Sequence, residues 1–189
     1  MNRLEKILNN PLYWDYLHKN HQKEIERIYC KHNWEHLALT AQLTQKLLRE
    51  KKLTLASDPL VNLEIVGAAG ILHDIGRWLQ YETGEDHAQT GSRLARPLLE
   101  QAGYSQAEID LVCQAIWEHN KGKKAQSLLG QMLCLADDLS RPCSTCQAQK
   151  GCYKMPWLLD QQKALGYLNF DGDKQEKFWR CLDQNGKNH

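Results

Sequence analysis

The sequence predicts an all-α fold, in the form of a compact helical bundle, and three observations support this prediction. Asn10 and Asp58 each precede a proline, so that a capping side chain is followed by proline at the first helical position. Residues 105–108 have the Ser-x-x-Glu pattern of a capping box. Valine, isoleucine and threonine are scarce, and the alternation of apolar and polar residues that marks a half-buried strand is absent.

The first elements can be placed in order along the chain. A capped helix begins after Asn10, within a helical extension formed by residues 1–30. The next helix carries His36, which is followed at helical spacing by three leucines, Leu39, Leu43 and Leu47. His36 is therefore expected on the buried face of that helix, where a satisfied core histidine is the alternative to a functional one. A further helix begins after Asp58.

The later elements are bounded by glycine and by capping side chains. Gly103 closes one helix, and the capping box opens the next, which carries His119. Asp137 follows an apolar stretch, residues 132–136. A carboxylate inside an apolar helix must be paired, protonated or bound to a metal to offset its desolvation. We expect such side chains to point inward from facing helices, where bundles build metal sites.

Length and charge limit the classes of protein that fit the sequence. The chain has 189 residues, enough for one full core, and its net charge of +1 argues against partners such as nucleic acid polymers or anionic membranes. The longest apolar run, residues 65–72, is far shorter than the ~20 residues that cross a bilayer. The N-terminus lacks a hydrophobic signal core, so we expect a cytoplasmic protein. A homo-oligomer is compatible with the sequence.

Side chains that bind metal ions recur in the order His36, His73-Asp74 and Asp137. Adjacent residues point about 100° apart on a regular helix, so His73 and Asp74 can hold one ion only where a helix ends. Gly76 is expected to provide that end by taking the left-handed conformation. Imidazole nitrogen together with carboxylate oxygen suits a borderline or hard divalent metal that keeps positions open for water.

These residues lie in segments that carry further histidines in a fixed order. A histidine, a His-Asp doublet and a distal aspartate occur in residues 34–36, 72–76 and 135–140. Residues 86–91 contain His-Ala-x-x-Gly, and residues 116–120 contain Ile-x-x-His. The five segments resemble the signature of the HD superfamily of metal-dependent phosphohydrolases. The resemblance covers residues 31–141 as the core, which leaves residues 142–189 as a cysteine-containing loop and C-terminal extension.

The resemblance implies a set of metal ligands. His36, His73, Asp74 and Asp137 would hold one divalent ion, with Asp138 as an alternative to Asp137 and Asp74 as the catalytic residue. Members that also have the two further histidines hold a second ion, which here would be bound by Asp74, His87 and His119. If only one ion binds, His87 and His119 could instead hold a phosphoryl oxygen or protonate the leaving group.

The resemblance also implies an activity. We expect hydrolysis of a phosphoester or phosphoanhydride bond in a small phosphorylated metabolite, by metal-bound hydroxide. The closest resemblance is to bacterial HD enzymes that split dinucleoside polyphosphates, so a nucleotide or dinucleotide is the expected substrate. The cofactor would be one or two ions of iron, manganese, cobalt, nickel or magnesium. A di-iron oxygenase and a non-catalytic HD signalling module are the alternatives.

Three cations near these segments are candidates for binding substrate phosphate. Arg77 follows the doublet and Arg141 follows Asp137, and guanidinium groups suit phosphate oxygens. Lys121 follows His119 in a turn that contains lysines and a glycine, where a solvated loop is the alternative. The remaining histidines have no such context and are expected at the surface: His18, His21, His32 and His189.

Cysteines cluster in a segment outside the HD resemblance. Cys143 and Cys146 are separated by two residues, and Cys152 follows after five more. This is half of a zinc or iron–sulfur signature, because the usual second pair is missing. The three are candidate ligands of a zinc ion or an iron–sulfur cluster, with free thiols in a loop as the alternative. A fourth ligand could be provided by one of three other cysteines: Cys30, Cys134 or Cys181.

Overall fold

The computed structural model describes residues 1–164, which fold into α-helices without a strand. The helices are α1 (Arg3–Leu8), α2 (Pro11–Lys23), α3 (Trp34–Glu50), α4 (Pro59–Leu72), α5 (Arg77–Thr83), α6 (His87–Ala102), α7 (Gln106–Glu118), α8 (Leu128–Leu139) and α9 (Met155–Ala164). Single 3₁₀ turns occupy Gly122–Lys124, Cys143–Thr145 and Gln149–Gly151. The all-α prediction is confirmed. No helix in the described part of the chain is long and apolar enough to traverse a lipid bilayer.

The predicted caps lie at the helix ends. Asn10 accepts a hydrogen bond from the amide of Leu12 at the start of α2, and Asp58 accepts one from Leu60 at the start of α4 over 2.7 Å. Ser105 begins α7 with a reciprocal capping box. Gly103 ends α6 with φ of 90°, a left-handed conformation that glycine takes at little cost. These local signals were sufficient to predict the boundaries.

One apolar core holds most of the helices together. Helix α4 is apolar on nearly all sides because it lies in the middle, between α3, α7 and α6. Residues of the first two helices, Leu4, Ile7 and Tyr13, are buried in this same core. A separate small cluster forms around Cys143, Met155 and Leu158. The three-part division of the chain stays a prediction, and its last part, from residue 165 onward, lies outside the described residues.

Helices α3 and α4 approach so closely that no side chain fits at Gly70. A Cβ atom there would lie 2.3 Å from Cα of Ala41 and 2.6 Å from its backbone nitrogen. This contact sets how near the two helices come, because backbone atoms cannot rotate away as a side chain does. The approach has a functional consequence: α3 carries His36, and the end of α4 leads into His73.

A charged network ties the first helix to the rest of the bundle. The Nε atom of Arg3 lies 2.5 Å from Glu64 on α4, and its Nη1 lies 2.8 Å from Glu108 on α7. The Arg3 guanidinium also lies over the ring of Tyr104, 4.3 Å from its centroid. Glu64 is almost fully buried, so this arginine compensates the desolvation of its carboxylate.

Replacing Arg3 with alanine is expected to lower the free energy of unfolding by roughly 3 kcal/mol, because Glu64 would be left as a buried charge without its cation. Urea unfolding followed by circular dichroism would measure the change. Lys6→Ala is a matched control on the same helix, and we expect a change within about 0.5 kcal/mol for this exposed residue. Equal effects of the two substitutions would contradict a specific role for the network.

Candidate metal centre

The His-Asp doublet lies in a turn between two helices. Helix α4 ends at Leu72 and α5 begins at Arg77, so His73 and Asp74 are free of the helical constraint that would point them apart. Gly76 has φ of −92° and ψ of 3°, so the prediction of a left-handed conformation is wrong. Glycine is needed there for another reason. A Cβ atom would lie 2.5 Å from the amide nitrogen of Gly91, where α6 packs against the turn.

The structure brings four of the predicted ligands together. One ligand atom from each of them lies within 4.8 Å of all the others: His36, His73, Asp74 and Asp137. The Nε2 atom of His36 is 3.1 Å from Oδ1 of Asp137, and Nε2 of His73 is 3.2 Å from Oδ2 of Asp74. All four side chains are buried. Such a mixed nitrogen and oxygen set is compatible with a divalent metal.

A second group shares the Asp74 carboxylate. Its Oδ1 atom lies 3.5 Å from Nε2 of His87 and 3.6 Å from Nε2 of His119. The two imidazole nitrogens are 3.2 Å apart. Asp74 therefore presents Oδ2 to one group and Oδ1 to the other, which is the arrangement of a carboxylate that can bridge two ions.

The histidines are oriented by hydrogen bonds from their other ring nitrogen. Nδ1 of His73 is 2.7 Å from the carbonyl of Gly70, and Nδ1 of His119 is 2.6 Å from the carbonyl of Ile116. Both carbonyls belong to the last turn of a helix, where carbonyl groups remain available to side chains. With the proton on Nδ1, Nε2 keeps its lone pair and is available to bind a metal ion. This atom faces Asp74 in both residues.

Burial and charge act against each other at the two carboxylates. Burial would raise the pKa of Asp74, but Arg77 and His73 outweigh it and hold the pKa well below its usual range. The pKa of Asp137 is likewise held well below its usual range, in this case by Arg141 and His36. The two carboxylates in turn overcome burial and raise the pKa of His73 to about 10. The site thus concentrates negative charge that a bound cation would neutralise.

His36 is not a satisfied core histidine. Its Nδ1 is 3.0 Å from Oγ of Ser140, but its Nε2, although 3.1 Å from Asp137, makes no hydrogen bond of regular geometry among the described residues. The same holds for Nε2 of His73 and for both oxygens of Asp74. Buried polar atoms without partners are costly. Nε2 of His36, Nε2 of His73 and Oδ2 of Asp74 converge on the first group, which is the observation that a metal ion would explain.

Comparison with known proteins agrees with this geometry. Residues 33–141 match the sequence model of the HD domain, and this match covers more than half of the chain. The chain belongs to the HD domain family. An uncharacterized protein of Clostridium beijerinckii is 35% identical to it over 152 residues, which are 80% of this chain and 92% of that protein. Membership supports a metal-dependent hydrolase at the level of the superfamily.

Two further similarities are more limited. Ribonuclease Y 1 of Pediococcus pentosaceus is 34% identical over 86 residues, 46% of this chain but 15% of that protein, so this HD domain spans a small part of its length. The crystal structure of a predicted HD superfamily hydrolase from an uncultured Thermotogales bacterium superposes with a TM-score of 0.57. That likeness has 20% identity, covers 97% of this chain and 99% of the other, and concerns the fold.

The prediction that His32 lies at the surface is wrong for this HD domain. His32 is only 2% exposed. Its Nδ1 is 2.5 Å from Glu24, and its Nε2 is 3.7 Å from Oδ2 of Asp74. Burial lowers its pKa to about 4 despite the neighbouring carboxylates. His18 and His21 are exposed as predicted, and His189 lies outside the described residues.

The three predicted phosphate-binding cations have different positions. Arg77 and Arg141 line a cavity of about 530 Å³ that opens onto the candidate metal centre, together with His87 and His119. Arg141 is 2.6 Å from Oδ1 of Asp137. Lys121 is absent from the residues that line this cavity, and its ammonium group lies against the ring of Trp117. A phosphate-binding role for each of them stays a prediction.

The distal carboxylate and the cysteine segment can also be placed. Asp137 faces the centre, whereas Asp138 is 2.7 Å from Lys154. Cys146 and Cys152 pack against the small cluster of Cys143, Met155 and Leu158. Cys181 lies outside the described residues. Zinc or iron–sulfur binding by these cysteines stays a prediction.

Sequence reasoning missed several residues that support the centre. Asn20 donates to the backbone carbonyl of Asp74 over 2.8 Å and accepts from the amide of Trp78. Glu24 holds His32, and Ser140 holds His36. Of these, Ser140 could have been found, because it lies in the segment that resembles the HD signature. Asn20 and Glu24 lie outside that segment, and nothing in the local sequence points to their partners.

Proposed function

We propose that this HD domain is a metal-dependent phosphohydrolase of a small phosphorylated metabolite, most simply a nucleotide or dinucleotide. The observation that supports the proposal best is the carboxylate of Asp74. It is fully buried, and each of its oxygens faces a separate set of imidazoles without a hydrogen bond of regular geometry among the described residues. A carboxylate in that position is stabilised most readily by cations.

In this proposal His36, His73, Asp74 and Asp137 hold one ion, and Asp74, His87 and His119 hold a second. Bound divalent cations would supply Lewis acidity toward a phosphoryl oxygen and lower the pKa of water from about 15.7 toward ~7. Burial lowers the pKa of His87 to about 3, which favours the neutral ring that a metal ligand needs, whereas His73, with a pKa raised to about 10, would release its proton when the ion binds. A neutral ring is also a poor proton donor, which favours the ligand role over the role of general acid.

Arg77 and Arg141 would position the phosphate. Both guanidinium groups line the cavity beside the candidate ligands, and each already lies next to a carboxylate of the centre. Metal ions bound to those carboxylates would neutralise their charge and so weaken their ion pairs with the guanidinium groups. The arginines could then donate to phosphate oxygens, for which their planar geometry is suited.

The cavity favours a substrate of limited size. Its volume of about 530 Å³ falls in the range of sites for small molecules, and the chain has a net charge of only +1. The similarity to ribonuclease Y 1 favours a second candidate, the phosphodiester bond of RNA. That similarity covers 46% of this chain, and the proposal therefore gives a small substrate priority.

The proposal is tested by measuring product release with protein purified without oxygen and supplied in turn with manganese, iron, cobalt, nickel or magnesium. The substrates are mononucleotides, dinucleoside polyphosphates and a short RNA, and oxygen consumption is recorded in parallel. We expect metal-dependent cleavage of a nucleotide or dinucleotide. RNA cleavage alone would support the second candidate, and oxygen consumption without phosphate-bond cleavage would indicate an oxygenase and overturn the proposal.

A separate prediction distinguishes one ion from two. His87→Ala and His119→Ala are each expected to lower the metal content from about two ions to about one per chain, because each removes a ligand of the second ion alone. Elemental analysis of the purified variants measures this change. His18→Ala, which alters an exposed histidine, is the matched control and should retain both ions. Two ions retained in all three variants would contradict the assignment.

A further inference from the structure

Four cysteines lie near one wall of the candidate substrate cavity. Cys143 is buried in the small cluster that it forms with Met155 and Leu158, and Cys146 and Cys152 pack against this cluster. Cys30, from the segment between α2 and α3, lines the cavity together with Cys143 and Cys152. It also lines a neighbouring cavity together with Cys143 and Cys146. Cys30 is thus the residue that adds a fourth thiol to the cluster whose usual second pair is missing from the sequence.

The backbone around these cysteines is shaped by short turns. The 3₁₀ turn Cys143–Thr145 brings the amide of Cys146 to 3.4 Å from the carbonyl of Cys143. A second turn, Gln149–Gly151, leads directly into Cys152. The side chain of Gln149 closes the loop by donating to the carbonyl of Cys143 over 2.7 Å. In the segment between α2 and α3, Arg27 donates to the carbonyl of Cys30 over 2.9 Å.

Electrostatic interactions point to the same neighbours. Burial and the neighbouring Cys30, Cys152 and Cys146 together raise the pKa of Cys143 to about 11, against the opposing effect of Arg141. Cys134, the other described cysteine of this region, interacts instead with Asp138 and Asp137. Cys30, Cys143, Cys146 and Cys152 therefore form one group that does not include Cys134. Grouped cysteines are ligands of soft metal ions and of iron–sulfur clusters.

We propose that Cys30, Cys143, Cys146 and Cys152 ligate an iron–sulfur cluster. A single zinc ion requires sulfurs no more than about 4.6 Å apart, since each Zn–S bond is about 2.3 Å long. Among the described residues, no three cysteine sulfurs lie within 4.8 Å of one another. A cluster spaces its cysteines more widely, because each thiolate binds a different iron of a four-iron core.

The proposed cluster is adjacent to the candidate metal centre without sharing its ligands. Arg141 connects them: its Nη2 atom is 2.6 Å from Asp137, and its guanidinium also interacts with Cys30. Lys154 lines the same cavity. These two cations would offset the net negative charge of a cluster bound by four thiolates. The cluster would cross-link the segment before α3 to the loop after α8. Both segments line the cavity, so the cross-link would fix their relative positions there.

The test uses the full chain purified without oxygen and reconstituted with ferrous iron and sulfide. We expect brown protein with on the order of four acid-labile sulfides per chain. Acid-labile sulfide is the decisive measurement because iron alone could also occupy the metal centre. Cys30→Ser and Cys146→Ser, at two partly exposed positions, should each lose most of the sulfide and colour, with helical circular dichroism retained.

Matched controls separate this site from the rest of the molecule. Cys134→Ser and Cys113→Ser should retain the sulfide, since neither residue belongs to the proposed set. Asp74→Asn should also retain it, because the metal centre has its own ligands. Colourless protein without sulfide after reconstitution, bound zinc lost on changing Cys146, or full sulfide in Cys30→Ser would each overturn the proposal.

Discussion

Replacing Asp74 with asparagine is expected to reduce hydrolysis by roughly 10³-fold or more. The carboxylate that faces both groups would lose its charge, and in the proposed mechanism the Lewis acidity of bound ions would be worth several kcal/mol of transition-state stabilisation. Metal content should fall at the same time, because both candidate groups include Asp74. Steady-state kinetics and elemental analysis on the same samples measure the two effects.

Stability provides an independent readout for this substitution. Asparagine has nearly the same shape as aspartate but carries no charge, and Arg77 and His73 lie beside this buried carboxylate. In chelator-treated protein, Asp74→Asn should therefore lower the melting temperature, because these cations would be left without their carboxylate. Asp138→Asn is the matched control, since Asp138 pairs with Lys154 rather than the centre. Full activity in Asp74→Asn, or equal loss in Asp138→Asn, would show that the site is assigned incorrectly.

Replacing Gly70 with alanine is expected to lower the free energy of unfolding by about 3 kcal/mol or more. The new methyl group would meet the backbone of Ala41 at 2.3 Å, so α3 and α4 would have to separate. Because these helices lead to His36 and His73, the separation should also weaken metal binding. Urea unfolding and metal titration of the same variant measure the two effects.

Gly67→Ala is the matched control, one helical turn earlier on α4. There the new methyl group would meet the tip of the Leu4 side chain at 2.5 Å, which can rotate away. Alanine also favours the helix over glycine by about 1 kcal/mol. We expect a net change within about 1 kcal/mol and unchanged metal affinity. A larger cost at Gly67 than at Gly70 would contradict the role of the backbone contact.

Much of the candidate centre was predictable because its residues combine a rare chemistry with a fixed order. His36, the doublet, Asp137 and the two further histidines were all chosen from sequence, and all are gathered around Asp74. The helix boundaries were predictable for a different reason. Caps such as those of Asn10 and Ser105 are made within a few residues of the chain, so the local sequence contains the whole interaction.

The errors concern residues whose role depends on a distant part of the chain. Gly76 was assigned a left-handed conformation because glycine often ends a helix that way, but the reason for glycine is the approach of Gly91 from α6. His32 was assigned to the surface because no motif surrounds it. Its burial results from Glu24 and from the turn that holds Asp74.

By itself the sequence determined the helices, the candidate ligands and the resemblance to the HD superfamily, because capping and ligand chemistry are properties of individual side chains and their near neighbours. Only the tertiary structure decided that Asp74 faces two sets of imidazoles and that Cys30 lines the same cavity as Cys143. Such placements depend on helix contacts as close as that of Gly70 with Ala41. Contacts between residues far apart in the chain arise from packing of the whole core, which local sequence patterns do not contain.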